Sequence, residues 1–279
     1  TLYKRDPQYI AIQSLIRARG CSEGCVLVLL NALISYQLSM PGEQYWFNFA
    51  NYFAKKTVRD YYEVFRDFVS NYSPRLIVRK LSRVKEILRS GIILEIQKEP
   101  LKYCCNIKEL VEKLASTLKA DPGSKTLLFA AKMYGYVCDL CGVEPNYSEL
   151  DIPVDYRNTL LAIGSCIVTI RKEDSTSRKI HACVKELLSR YSKIVQRAWI
   201  ELCRELEVPC MHLDTFTWLV TGIIIKAGCD LEKAHFNLRD TLKIDLPLSL
   251  IQELTRCWCL LSVSREDRVT CKNRSDLVR

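Results

Sequence analysis

The sequence has few of the residues that interrupt helices. It contains only ten Gly and nine Pro in 279 residues, and long alternating strand patterns are rare, which argues against a fold built from many strands. It has no run of about 18 apolar residues, so no membrane-spanning helix is expected. The first segment, TLYKRDPQY, lacks the apolar stretch of a secretion signal.

Cysteine, by contrast, is abundant, with 14 residues. Three explanations are open: buried thiols, a metal site, or the intracellular disulfides found in hyperthermophiles. Cys138 and Cys141 have the spacing of half a zinc site, but a second CxxC pair is missing, and neither Cys104-Cys105 nor Cys257-x-Cys259 replaces it. We therefore predict no metal site, and some disulfide pairing if the source is a hyperthermophile.

The charge is moderately basic, with 41 Lys and Arg against 32 Asp and Glu, a net +9. An excess of this size suits a polyanionic partner such as a nucleic acid. It also occurs in soluble proteins with no such partner, so charge alone leaves both interpretations open.

Apolar residues recur with a helical period along almost the whole chain. The pattern predicts an all-α fold of about ten to twelve helices. Pro7 and Asp6 mark the start of the first helix, GCVLVLLNALISYQL is apolar nearly all round and should be a buried central helix, and one long helical stretch is expected from about Ser177 to Glu207. The segment SPRLIVRKLSRVKEILRS is a strongly basic helix.

The stretch DPGSKTLLFAAK combines a Pro-Gly turn with a lysine at the start of a helix. Lys125, Phe129 and Lys132 have the spacing i, i+4, i+7 and share one helical face. Two solvated lysines beside a core Phe would give the same pattern, and spacing alone favours that interpretation. Two acids favour a functional site: Asp155 lies near a helix N-terminus in DIPVDYR, and Asp214 shares a face with Trp218 in HLDTFTW. Each also has an ordinary explanation: Asp155 as a plain N-cap, which is favoured when the residue is taken alone, and Asp214 and Trp218 as a capping acid and a core ring.

A lysine, a carboxylate and several aromatic rings suit the excision of a flipped nucleobase. A partly neutral amine attacks the sugar, the carboxylate stabilises the positive charge that develops there, and the aromatic rings stack on the extruded base.

The segment PGSKT resembles the hairpin of helix-hairpin-helix DNA glycosylases, and more specifically the chain resembles the archaeal 8-oxoguanine DNA glycosylase family, AGOG. The matching segments run from Arg5 to about Leu219 in the order of the family: RDPQY, LNALISYQL, GEQYWFNFANYF, KTLLFAAKMYGY, DIPVDYR and HLDTFTWL. Ser124 stands where the general hairpin has a glycine, and Asp155 follows Lys125 by 155 − 125 = 30 residues. Both departures are shared by the AGOG pattern.

The resemblance implies a role for each candidate residue. Lys125 corresponds to the lysine that forms the Schiff base, and Asp155 to the catalytic aspartate. The remaining positions contact the oxidised base: Phe129 and Trp218 as the two plates that sandwich it, Trp46 as a further wall, and Gln8, Lys132 and Asp214 as polar contacts.

The implied protein is a bifunctional DNA glycosylase and AP lyase of base excision repair, with β-elimination after imine formation and no cofactor. We expect a helix-hairpin-helix fold with two helical subdomains flanking the active-site cleft, in one glycosylase domain over residues 1–263, followed by a polar tail at 264–279. Damaged DNA containing 8-oxoguanine is the expected partner of a monomer in the archaeal cytoplasm, away from membranes. A glycosylase for a different damaged base and a non-catalytic helical DNA-binding module are the alternatives.

Overall fold

The computed structural model describes residues 2–169, 180–228 and 230–257. Within those ranges the protein is helical, with no strand, which confirms the all-α prediction. A short 3₁₀ helix, Leu2–Arg5, precedes thirteen α-helices. These are α1 Pro7–Ile34, α2 Gly42–Lys55, α3 Tyr61–Tyr72, α4 Ile77–Arg89, α5 Ile92–Lys98, α6 Ile107–Leu118, α7 Lys125–Leu140, α8 Tyr156–Gly164, α9 Ile180–Arg190, α10 Ser192–Glu205, α11 Cys210–Lys226, α12 Leu231–Leu242 and α13 Leu248–Leu254.

The chain divides into two compact units. Unit 1 comprises residues 1–153 and 209–212, and unit 2 comprises residues 154–208 and 213–279. The assignment of residues 1–263 to one glycosylase domain stays a prediction. The predicted tail, residues 264–279, lies outside the described residues.

Unit 1 is built around α1. Every residue from Gly24 to Ile34 is buried, as expected for a segment that is apolar nearly all round, and α1 packs against α2, α4, α5 and α7. The helix bends at Gly20, whose φ of 74° and ψ of 172° interrupt the helical geometry. Only glycine adopts this φ without strain. The bend separates the two helices that the sequence pattern predicts on either side of it.

Unit 2 is arranged around α8, in which all residues from Asn158 to Gly164 are buried. This helix packs against α9, α10 and α13. The stretch from about Ser177 to Glu207 is helical as predicted over Ile180–Arg190 and Ser192–Glu205, but the expectation of one unbroken helix is wrong, because Tyr191 separates α9 from α10. Residues 177–179 lie outside the described residues. Both α9 and α10 keep an amphipathic pattern, so the break leaves little trace in the sequence.

Three disulfides cross-link the described residues: Cys21–Cys141 and Cys104–Cys138 in unit 1, and Cys166–Cys257 in unit 2. Both cysteines of the CxxC pair are therefore bonded to partners elsewhere in unit 1. The two unit 1 bonds hold the C-terminal end of α7, the helix that begins with Lys125.

No single helix among the described residues has the length and apolar character needed to cross a membrane. Only α10 and α11 taken together, as a pair bent by 111°, meet that criterion.

Candidate active site

Lys125 is the first residue of α7 and is exposed to solvent. The turn before it is fixed by Asp121, whose side chain accepts from the backbone N–H of Gly123 at 2.8 Å and whose carbonyl accepts from that of Ser124 at 2.9 Å. The lysine thus stands on a defined turn at a helix start, as its sequence predicts.

Phe129 lies one helical turn after Lys125 and is half-buried. The ring of Trp46, from α2, meets it edge-on, with 6.0 Å between ring centroids and 68° between ring planes. Trp46 is itself 1% exposed. The structure therefore brings these two predicted contact residues together, with Trp46 as a rigid support for the Phe129 ring.

Lys132 is 2% exposed and is not the solvated lysine that helical spacing alone favours. Its Nζ lies 3.9 Å from Oδ2 of Asp6, a completely buried carboxylate. Asp6 Oδ2 also accepts from the Tyr136 hydroxyl at 2.9 Å, and Oδ1 accepts from the backbone N–H of Gln8 at 2.8 Å. Burial raises the pKa of Asp6, and the Lys132 ammonium and these hydrogen bonds offset part of that effect.

Asp6 thereby joins two of the predicted base contacts, Gln8 and Lys132. It caps α1 through the Gln8 backbone and holds the Lys132 ammonium from α7. Gln8 is 5% exposed, and a methyl group added at Gly42, the first residue of α2, would lie 4.0 Å from Gln8 Nε2. Gln8 is therefore placed where α1, α2 and α7 meet in unit 1.

The rotation of α7 is fixed from its other side by Tyr147. The Tyr147 hydroxyl donates to the carbonyl of Lys132 at 3.2 Å. It lies so close to Gly135 that a Cβ there would be 2.0 Å from the hydroxyl oxygen. Only glycine allows this approach, which orients the face that carries Phe129 and Lys132.

In unit 2, Asp155 caps α8. Its Oδ1 accepts from the backbone N–H groups of Arg157 at 2.9 Å and Asn158 at 3.0 Å, and the Asn158 side chain accepts in return from the Asp155 N–H at 2.7 Å. This reciprocal pair is a capping box. The carboxylate is half-buried and stands at the N-terminal end of α8, the positive end of the helix dipole.

Asn158 also links Asp155 to Asp214. Its Nδ2 donates to Asp214 Oδ1 at 3.4 Å, and its carbonyl accepts from the Trp199 indole at 3.2 Å. Asp214 is 5% exposed. The Asn158 side chain thus contacts both predicted acids of unit 2, Asp155 through its backbone N–H and Asp214 through its carboxylate.

Trp218 is half-buried, and one of its faces is covered by Arg157, whose guanidinium carbon lies 4.0 Å from the ring centroid. The same guanidinium donates to the Trp218 carbonyl at 3.3 Å. A Cβ at Gly222 would be 2.9 Å from Arg157 Nη1, so the glycine makes room for this stack. A cation over the face of an indole fixes the plane of the ring.

Comparison with known proteins identifies the family to which the chain belongs. The sequence profile of AGOG, described as N-glycosylase/DNA lyase, matches residues 1–253. The chain belongs to the AGOG family. The N-glycosylase/DNA lyase of Nanoarchaeum equitans is 36% identical over 79% of this chain and 82% of its own length. That of Pyrobaculum aerophilum is 31% identical over 80% of each chain.

A solved AGOG structure shares the fold. The crystal structure of Pa-AGOG, an 8-oxoguanine DNA glycosylase from Pyrobaculum aerophilum complexed with 8-oxoguanosine, superposes with a TM-score of 0.67 at 27% identity. The alignment covers 92% of this chain and 88% of that one. The AGOG resemblance, the helical glycosylase fold and the enzyme class are thereby confirmed.

For this AGOG member, sequence reasoning missed several residues that position the site. Arg157 and Asn158 lie two and three residues after Asp155, and an acid followed three residues later by an amide is a readable capping signal. Asp6 is predicted as an N-cap, but its pairing with Lys132 and Tyr136 depends on packing between α1 and α7. The roles of the eight predicted site residues themselves stay predictions.

Proposed function

We propose that this AGOG member is a bifunctional glycosylase and AP lyase that removes 8-oxoguanine from DNA, with Lys125 as the nucleophile and Asp155 as the carboxylate that stabilises the transition state. The observation that carries the proposal is the AGOG match over residues 1–253 together with an exposed lysine at the start of α7. The solved relative, complexed with 8-oxoguanosine, supports the choice of base.

In this proposal Phe129 and Trp218 are the two rings that stack on the flipped base. Each ring already has a support of its own: Trp46 edge-on behind Phe129, and Arg157 on one face of Trp218. Rings held in place lose little freedom when a base stacks on them. Gln8, Lys132 and Asp214 are buried polar groups, and we propose that they read the edge of the base.

The chemistry follows from an amine nucleophile. A bond forms between Lys125 Nζ and the anomeric carbon as the bond to the base breaks; the base leaves with the electron pair and takes up a proton. The attached ammonium loses one proton. The bond between the anomeric carbon and the ring oxygen then breaks, the oxygen takes up a proton, and a protonated imine remains. Removal of a proton from the adjacent carbon then expels the 3′-phosphate and nicks the strand. Asp155 stabilises the positive charge on the sugar.

We propose further that the protein acts as a monomer on damaged DNA in the cell interior, with no membrane partner. The exposed basic residues of the α4 region, Arg75, Arg79, Lys85 and Arg89, suit contacts with phosphates. Lys80 and Arg83 do not share this role, because Lys80 is completely buried and Arg83 donates to the carbonyl of Leu33 at 2.9 Å.

Borohydride trapping tests the proposal. Wild-type protein should become covalently attached to a duplex with one 8-oxoguanine, because borohydride reduces the imine to a stable amine. Lys125→Gln should give neither cross-link nor nick, yet bind the damaged duplex. Lys119→Gln, at an exposed lysine just before the turn, is the matched control and should behave like wild type. A cross-link that persists in Lys125→Gln would reject the assignment and direct attention to Lys132.

A further inference from the structure

Tyr156 and His181 form a hydrogen-bonded pair next to Asp155 in unit 2. Tyr156 is the first residue of α8 and directly follows Asp155, the cap of this helix. Its hydroxyl is hydrogen-bonded to Nδ1 of His181, the second residue of α9, and the two rings are nearly parallel, with 5.9 Å between centroids and 17° between planes. Burial raises the pKa of Tyr156, so its hydroxyl stays neutral. The pair places an imidazole beside the start of α8.

The packing of α9 holds this imidazole in place. Ile180, Cys183 and Val184 are buried, at the spacing that puts residues on one helical face, and α9 packs against α8. His181 lies at the edge of this buried face and is itself exposed to solvent. An exposed ring on a helix that is anchored by apolar packing can meet a bound DNA strand without any change in the core.

The other two histidines of the chain have different surroundings. His212 belongs to unit 1, and His235 lies 3.8 Å from the carboxylate of Asp245. His181 is bonded through Nδ1 to a phenol, and its Nε2 has no hydrogen-bond partner in the part of the chain that the structure describes. A hydrogen bond at one ring nitrogen sets which nitrogen carries the proton. When Nδ1–H donates to the Tyr156 oxygen, Nε2 keeps its lone pair and can accept a proton.

The proposed reaction contains one proton transfer to which no residue has been assigned. After the imine forms, the carbon next to the anomeric carbon must lose a proton before the 3′-phosphate can leave. Histidine is the side chain that enzymes use most often for such a transfer. Asp155 is proposed to act on the same sugar, and Tyr156 is its neighbour in the chain. An imidazole bonded to Tyr156 is therefore a base next to the carboxylate that the sugar is expected to meet.

We propose that His181 is the base of the strand-nicking step and that Tyr156 is the positioning residue that holds its tautomer. This inference rests on the proposed function and deepens it. His181 Nε2 takes the proton, the C–H electron pair forms a C=C bond to the anomeric carbon, and the imine nitrogen takes up the C=N pair. The nitrogen pair then re-forms C=N, the double bond moves to the next carbon, and the 3′-phosphate leaves with the C–O pair. The imidazolium finally returns its proton to water.

Duplex DNA with one abasic site tests this step separately, because the substrate needs no base excision. His181→Ala should nick it roughly 10²-fold more slowly than wild type, the smaller of the effects usual for a general base. Imine formation does not use His181, so the complex that borohydride traps should accumulate in the variant. Release of 8-oxoguanine from a lesion duplex, scored after alkali has cleaved every abasic site, should match wild type.

Chemical rescue gives a readout that a purely structural role would not move. Imidazole in solution should restore nicking to His181→Ala, above the background of imidazole without protein, but not to Lys125→Gln, which forms no imine. Tyr156→Phe keeps the ring and loses the hydroxyl, so it should nick roughly 2- to 10-fold more slowly, the effect of one hydrogen bond. His235→Ala removes another imidazole of unit 2 and is the matched control, with wild-type rates expected for both steps.

Wild-type nicking by His181→Ala would overturn this assignment and leave the proposed function intact. Equal losses of base release and nicking, with no recovery in imidazole, would also overturn it, because they would indicate damage to the fold or to the site as a whole. If wild-type protein released no 8-oxoguanine but nicked abasic duplexes in a His181-dependent way, the proposed choice of base would fail and the role of His181 would stand.

Discussion

Asp155 has two roles in this protein, and substitution can separate them. The carboxylate caps α8, accepting from two backbone N–H groups at 2.9 and 3.0 Å, and we propose that it also stabilises charge on the sugar. Asparagine caps helices about as well as aspartate. Asp155→Asn should therefore unfold at close to the wild-type temperature, since the amide oxygen can replace Oδ1 but carries no charge.

The loss of charge should appear in the rate. Removing one preorganised group that stabilises transition-state charge costs roughly 10²- to 10³-fold, and we expect Asp155→Asn to lose that much in single-turnover excision while still binding the damaged duplex. Asp155→Ala should lose a similar factor and in addition about 1 kcal/mol of unfolding free energy, because the cap is gone.

Asn158→Ala is the matched control. The substitution removes the hydrogen bond of 2.7 Å to the Asp155 N–H and the side-chain hydrogen bond to Asp214, but it keeps the Asp155 carboxylate. It should cost stability on the scale of a lost buried hydrogen bond, about 1 kcal/mol, and lower the rate far less than Asp155→Asn. Thermal unfolding and excision at one temperature, well below all transitions, measure both quantities. Wild-type excision by Asp155→Asn would refute this reasoning and leave Asp155 as a helix cap alone.

Four further outcomes are expected. Gln8→Ala should slow excision of 8-oxoguanine roughly 5- to 150-fold, the equivalent of leaving a buried donor unpaired; unchanged rates would show that another residue reads the base edge. Affinity for duplex DNA should fall steeply between low and physiological salt, and a flat response in a binding titration would contradict phosphate contacts by the α4 region. Thiol titration of denatured, unreduced protein should find at most eight of the 14 cysteines free, because six of those in the described part of the chain are paired. Reduction should lower the unfolding temperature without slowing excision by folded protein, and 14 free thiols would contradict the pairing. Hydrogen bonds from Lys102, Lys113 and Tyr103 lower the pKa of Glu95 from 4.5 to about 2, so the stability that Glu95 contributes is present above pH 4.5 and is lost as pH falls through about 2. In acid unfolding, Glu95→Gln should lose less unfolding free energy than wild type over this pH range, and identical pH profiles of the two proteins would contradict the shift.

The parts of the site that sequence could predict are local ones. Lys125, Phe129 and Lys132 share a face because helical geometry places i, i+4 and i+7 together, and the DPGS turn before them follows from its residue types. The resemblance to AGOG supplied the remaining positions, which no single short motif could have fixed.

What sequence could not show depends on contacts between distant segments. Lys132 has the pattern of a solvated lysine, and only the packing of α1 on α7 makes it a partner of Asp6. Lys80 likewise belongs to a basic run, yet it turns inward to Ser73. The break at Tyr191 between α9 and α10 has neither glycine nor proline to mark it. In each case the tertiary environment overrides a local preference.

The bond between Cys21 and Cys141 spans 120 residues and so makes most of unit 1 a closed covalent ring. Loop closure on this scale restricts the unfolded chain by about 5 kcal/mol. It also means that a single backbone cut between these two cysteines, even in the loop of residues 35–41 between α1 and α2, releases no fragment. A protease must therefore cut the ring at least twice, or a reductant must open it, before any piece of the segment from Cys21 to Cys141 can separate from the chain.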